Sequence, residues 1–106
     1  MKAYLIDPFA KAVSEVETDG TMASAYALMD CTYVESIRPE NEFGDVLLLD
    51  EEGKARNGQK FFICHLWPHD ALAGKALWIG SDGEEFATPR TRRDVVLGNV
   101  SWLTEL

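Results

Sequence analysis

Four consecutive apolar residues, Val46-Leu47-Leu48-Leu49, limit the fold of this chain more than any other segment. A strand alternates its side chains between two faces, so a strand built from them has no polar face and must be covered on both sides. It belongs at the centre of a sheet. Phe61-Phe62-Ile63-Cys64-His65-Leu66-Trp67 is a second strongly apolar strand segment. The turn signals Asp50-Glu51-Glu52-Gly53 and Asn57-Gly58 separate the two runs, which are expected to pair antiparallel. Pro68 ends the second run, and residues 69–74 read as a loop.

The flanking segments supply the partners. Lys2 to Asp7 and Ala12 to Glu17 read as a hairpin around Asp7-Pro8-Phe9-Ala10-Lys11, with Glu15 and Glu17 sharing one face of its second strand. Thr21 is placed to cap a helix over residues 22–30, whose Met22, Ala25, Tyr26, Leu28 and Met29 recur at helical spacing and should lie against a sheet. Thr32 to Ile37 and Ala76 to Ile79 read as strands, and Ser81-Asp82-Gly83-Glu84 as a hairpin turn with Phe86 on the return arm. Thr91 and Asp94 have the spacing of a variant capping box for a short helix ending at Gly98, and residues 99–103 form a last strand. A chain of 106 residues has room for one hydrophobic core. The expected fold is a single α+β domain over 1–106, mainly antiparallel sheet with one or two helices packed on it.

Charge is unevenly spread. The net charge is −8, and residues 1–52 carry 12 acids against 3 bases while residues 53–106 carry 6 against 7. A field of that sign repels phosphates and attracts basic proteins, so direct nucleic-acid binding is not expected. The same acidity also keeps a small protein soluble. No run approaches the length of a membrane span, and Asp7 and Pro8 interrupt the opening where a signal peptide stays apolar, so a cytoplasmic protein is expected.

The chemistry-bearing residues give no catalytic signature. Cys64 and His65 are neighbours, and if Phe61 to Trp67 is a strand they point to opposite faces and cannot serve as a dyad. His65 and His69 have a helical metal-site spacing, but Pro68 between them breaks the helix it needs. Asp50, Glu51 and Glu52 lack the alternating ligands of a calcium loop, and no glycine cluster has phosphate-loop spacing. Cys31 and Cys64 read as reduced, buried thiols, and their spacing does not show whether they meet in a disulfide. Neither a metal nor a cofactor is expected, nor an enzyme. Arg90, Arg92 and Arg93 form the densest basic patch; Lys54, Arg56 and Lys60 would join it only if the fold gathered them.

Lys2-Ala3-Tyr4-Leu5-Ile6-Asp7-Pro8-Phe9, Val13, Glu15-Val16-Glu17, Gly44-Asp45-Val46, Leu49-Asp50-Glu51-Glu52-Gly53, Phe61-Phe62 and Leu72-Ala73-Gly74-Lys75-Ala76-Leu77 occur in one order along residues 1–85. In this the chain resembles a family of small phage- and plasmid-borne domains of unknown function. The resemblance transfers no catalytic residue. It implies a mobile-element protein, for which interference with host defence or regulation is a common task.

Two functional expectations follow. The first is a non-enzymatic interaction protein that inhibits a basic host protein of defence or nucleic-acid handling by mimicking nucleic acid, through Glu15, Glu17, Asp19, Glu40, Glu42, Asp50, Glu51 and Glu52. The second is a small-molecule or nucleotide binder that sequesters a signalling ligand, with Arg90, Arg92 and Arg93 on phosphate and Trp78 for stacking. The sequence leaves oligomeric state open; a homodimer through an exposed sheet edge is compatible with a small β-rich chain.

Overall fold

The computed structural model describes residues 1–103, and its frame follows from the doubly apolar segment. Strand β4 (Val46–Asp50) is buried along its whole length, and so are the first five residues of β7 (Ala76–Asp82), its neighbour. Around this pair the main sheet runs β2 (Ala12–Glu17), β1 (Lys2–Asp7), β7, β4 and β3 (Val34–Ile37), with β8 (Glu85–Ala87) on the far end of β7. Every pairing in it is antiparallel. Registers such as Tyr4↔Trp78↔Leu47 bring residues of one parity onto one face.

Alternation then sorts the core into two halves. Tyr4, Ile6, Val13, Leu47, Leu49, Ala76 and Trp78 pack on one side against Phe62, Cys64, Leu72 and Val96, while Ala3, Val46, Leu48, Leu77 and Ile79 pack on the other against Ala25 and Met29. Helix α1 (Met22–Met29) covers the second side. Its start is as expected, since the Thr21 hydroxyl accepts a hydrogen bond from the Ser24 amide at 3.2 Å. A second, three-stranded sheet, β6 (Leu72–Ala73), β5 (Phe61–Cys64) and β9 (Val100–Leu103), covers the first side together with α2 (Arg93–Gly98). The fold class is therefore as expected, an antiparallel α+β domain. No helix among the described residues is long and apolar enough to cross a membrane.

Three local expectations are corrected. The segments 46–49 and 61–67 do not pair: β4 lies between β3 and β7, and β5 between β6 and β9 in the covering sheet. Both runs need two-sided burial, and stacking one sheet on the other satisfies that need as well as lateral pairing does. Residues 69–74 are not all loop, because Leu72 and Ala73 pair with Phe62 and Phe61. The capping box is absent: Arg92 is the N-cap of α2, and Thr91 is buried with its hydroxyl oxygen unpartnered among the described residues.

A buried carboxylate, Asp45, ties the loops to this frame. Only 2% exposed, it accepts hydrogen bonds from the Trp78 indole N–H at 3.0 Å, the Thr91 amide at 2.9 Å and the Arg90 amide at 3.2 Å. Asn41 holds the Asp45 backbone from the other side, donating to its carbonyl and accepting from its amide. Gly80 is required nearby, since a Cβ there would lie 2.5 Å from the Thr88 carbonyl oxygen.

The Tyr4 hydroxyl donates to the Thr91 carbonyl oxygen at 2.8 Å, and burial first, then the Glu15 charge, pushes the phenol above its ordinary 10.0. A group whose folded pKa is raised adds stability that is complete below the unfolded value and is lost as pH rises through the folded one. The urea midpoint should therefore fall above about pH 10 more steeply in the wild type than in Tyr4→Phe. Equal slopes would contradict this.

Candidate functional site

The main sheet separates the acidic residues into two groups. Glu15, Glu17 and Asp19 lie on and beyond β2, whereas Glu40, Glu42, Asp50, Glu51 and Glu52 lie at the two ends of the β3–β4 pair. β2 and β3 are opposite edges of the five-strand order, so four strand spacings, about 19 Å, separate them. The eight carboxylates do not form one face.

The first group is partly neutralised. Glu15 pairs with Lys2 at 3.5 Å and Glu17 with the N-terminal ammonium at 3.8 Å. Asp19 accepts from the Thr21 hydroxyl at 2.6 Å and the Thr21 amide at 2.9 Å, which holds its carboxyl below the usual range. In the second group Asp50 is held within the fold. Its side chain is 5% exposed, it pairs with Arg56 at 2.8 Å, and it accepts the Glu52 amide at 2.9 Å. The expectation that Asp50 meets a partner is corrected by that burial. Glu40, Glu42, Glu51 and Glu52 are exposed, and none makes an ion pair among the described residues.

Glu35, which belongs to no motif in the sequence, joins this second group. It is exposed on β3, with its side chain on the face carrying Ile37 and Leu49. Glu35, Glu51 and Asp70 edge a pocket of about 300 Å³ that opens between the β3–β4 corner and the covering sheet. Ile37, Leu49 and Leu72 supply apolar lining and Trp67 an aromatic wall. Lys54 also lines it and is bound to Asp70, whose carboxyl the Lys54 ammonium holds low. The available signal for Glu35 was its place inside an apolar strand segment, where a carboxylate marks a solvent-facing edge.

A larger open groove, about 600 Å³, lies where the β1–β2 turn, the end of α1 and the loop around Arg56 meet. Asp7, Asp30, Asp50, Arg56 and Lys75 line it, with Phe9 half exposed at its edge. Asp50 and the Asp30 carbonyl already hold the Arg56 guanidinium, at 2.8 and 3.0 Å.

The expected phosphate site lacks its stacking platform. Trp78 is 0% exposed with its indole N–H on Asp45, so the expectation that it stacks on a ligand is corrected. Arg92 pairs with Asp94 at 2.8 Å, and the Arg93 Nε donates to the Val13 carbonyl at 2.7 Å. Arg90 gives its backbone amide to Asp45. Lys54 and Arg56 are bound to Asp70 and Asp50.

The thiols and imidazoles are dispersed as well. Cys31 packs with the α1 side of the sheet and Cys64 belongs to the core on the opposite side; both are free, so no 31–64 disulfide forms. Burial pushes both thiols up, away from the thiolate a nucleophile needs. His65 Nε2 lies 2.7 Å from the Ser101 hydroxyl, and His69 packs edge-on against Trp67.

The chain is thus a two-sheet α+β domain whose surface features are carboxylates, an open sheet edge and shallow grooves. It belongs to the family described as Domain of unknown function (DUF3846), which matches residues 1–98. No curated protein matches the chain, and no solved structure does.

Proposed function

We propose that this is a non-enzymatic acidic interaction protein of a mobile element, which docks on a basic host protein of defence or nucleic-acid handling where that protein would hold nucleic acid. The observation that carries the reading is the β3 side of the sheet, where Glu35, Glu40, Glu42, Glu51 and Glu52 are exposed and unpaired among the described residues. Arg38 is the single base between residues 35 and 52. Carboxylates without internal partners keep their field for an incoming cation, and such a field speeds and orients the encounter with a basic surface. Glu15 and Glu17, already paired, contribute less.

The test is capture from the lysate of the protein's own host, with the tagged wild type beside Glu40→Lys/Glu42→Lys/Glu51→Lys/Glu52→Lys. A basic protein retained by the wild type, eluted by salt and lost from the folded variant is the expected result. Retention of the same protein by the variant would contradict the reading.

A further inference from the structure

We propose that the open edge of β3 takes an extended basic segment of the partner as an added strand, with one arginine or lysine side chain seated in the pocket beside Trp67. This rests on the acidic-interaction reading and adds the form in which the partner presents its charge.

The register decides which backbone groups are free. Tyr33 and Glu51 continue the β3–β4 ladder, and the Glu51 amide donates to the Tyr33 carbonyl at 3.0 Å. In an antiparallel pair the bonded residues alternate, so Glu35 and Ile37 also turn their N–H and C=O groups to β4. Val34 and Ser36 turn theirs outward, where no backbone or side-chain group among the described residues meets them. The opposite edge differs. On β2 the Val13 carbonyl takes the Arg93 guanidinium, and α2 packs against the strand.

Charge selects the occupant. A second copy pairing symmetrically on β3 would set the glutamates of both copies, Glu35 included, along one seam, and like charges across a strand pair are unfavourable. Glutamates on an edge guard it against self-association while admitting a strand of opposite charge. The added strand would send alternate side chains toward the covering sheet, over Glu35 and Ile37. The pocket there offers the apolar surface of Ile37, Leu49 and Trp67 to an aliphatic stem, and Glu35 and Glu51 to its cation.

The experiment measures fluorescence anisotropy of two labelled octapeptides of equal charge, one alternating arginine with valine and one alternating arginine with proline, whose prolines lack the N–H donors to β3 in the register that sets arginine over Glu35 and Ile37. They are titrated against the wild type, Ser36→Pro, Trp67→Ala and Glu35→Lys/Glu51→Lys. Ser36→Pro removes one outward N–H and leaves the bonds to β4 in place. The arginine–valine peptide should bind at least about tenfold more tightly than the arginine–proline one, and Ser36→Pro should weaken its binding by removing one donor to the added strand. Trp67→Ala and the charge reversal should each weaken it. Should Ser36→Pro not fold, amide exchange in the wild type decides: Val34 and Ser36 become protected when the arginine–valine peptide is added. Equal binding of both peptides, unaltered by Ser36→Pro or without that protection, would overturn strand addition and leave acidic docking standing. Binding of neither peptide also overturns it, while capture of the host protein judges the docking reading separately.

Discussion

Asp45→Ala is expected to lower the stability of the fold by about 4 kcal/mol, because it strands two buried donors and a partly buried third at once. The Trp78 indole N–H and the Thr91 amide lose their acceptor inside the core, and the Arg90 amide loses it at the core's margin. Each buried unpaired donor costs roughly 1–3 kcal/mol, and sharing a single acceptor makes the costs less than additive. For a domain of this size the loss corresponds to a fall in Tm of about 20 °C. Asp45→Asn keeps one carbonyl oxygen but turns an amide N–H₂ toward donors, so it should fall between alanine and the wild type. Urea unfolding of the three proteins checks this. A loss below about 1 kcal/mol in Asp45→Ala would show that the carboxylate does not hold the Pro89–Thr91 segment to the sheet.

Phe62→Ala is the second large effect, expected to cost about 3–5 kcal/mol. Phe62 is 0% exposed in the central strand of the covering sheet, and its ring meets that of Trp102 edge-on at 6.3 Å. It also packs with the residues of the main sheet that face the covering sheet, so truncation opens a cavity between the sheets. Phe62→Leu keeps most of the volume and should cost about 1 kcal/mol. Chemical denaturation distinguishes the two, and equal midpoints for Phe62→Ala and the wild type would contradict the packing account.

Local structure is legible where one residue type settles the local conformation. Thr21 caps α1, Pro8 sits in the first hairpin, and Val46 to Leu49 form a strand covered on both sides, as their chemistry requires. Non-local choices were not legible. An apolar strand states that it must be buried on both faces, without stating whether its neighbour lies beside it or above it, so the two apolar runs suggest a lateral pairing that β4 and β5 do not make. The site was less legible than the fold. Trp78 reads as a ligand platform until its indole is seen on Asp45, and Asp45 itself, opening the apolar run after Gly44, carries no mark of its burial in the sequence. Asp50 looks like its neighbours Glu51 and Glu52, yet only Asp50 reaches back to Arg56. A single carboxylate in a strand carries no motif, so the meaning of Glu35 comes only from β3 being an edge beside a pocket.

The central claim is that the unpaired carboxylates beside β3, and not those beside β2, receive the basic partner. The most direct test is calorimetric titration of the captured host protein, at low and at high salt, into three proteins: the wild type, Glu51→Lys/Glu52→Lys and Glu15→Lys/Glu17→Lys. We expect the β3-side reversal to weaken binding about 100-fold at low salt, with that gap narrowing as salt screens it, and the β2-side reversal to change affinity by less than about threefold. Full affinity in Glu51→Lys/Glu52→Lys, or the larger loss in Glu15→Lys/Glu17→Lys, would contradict the account.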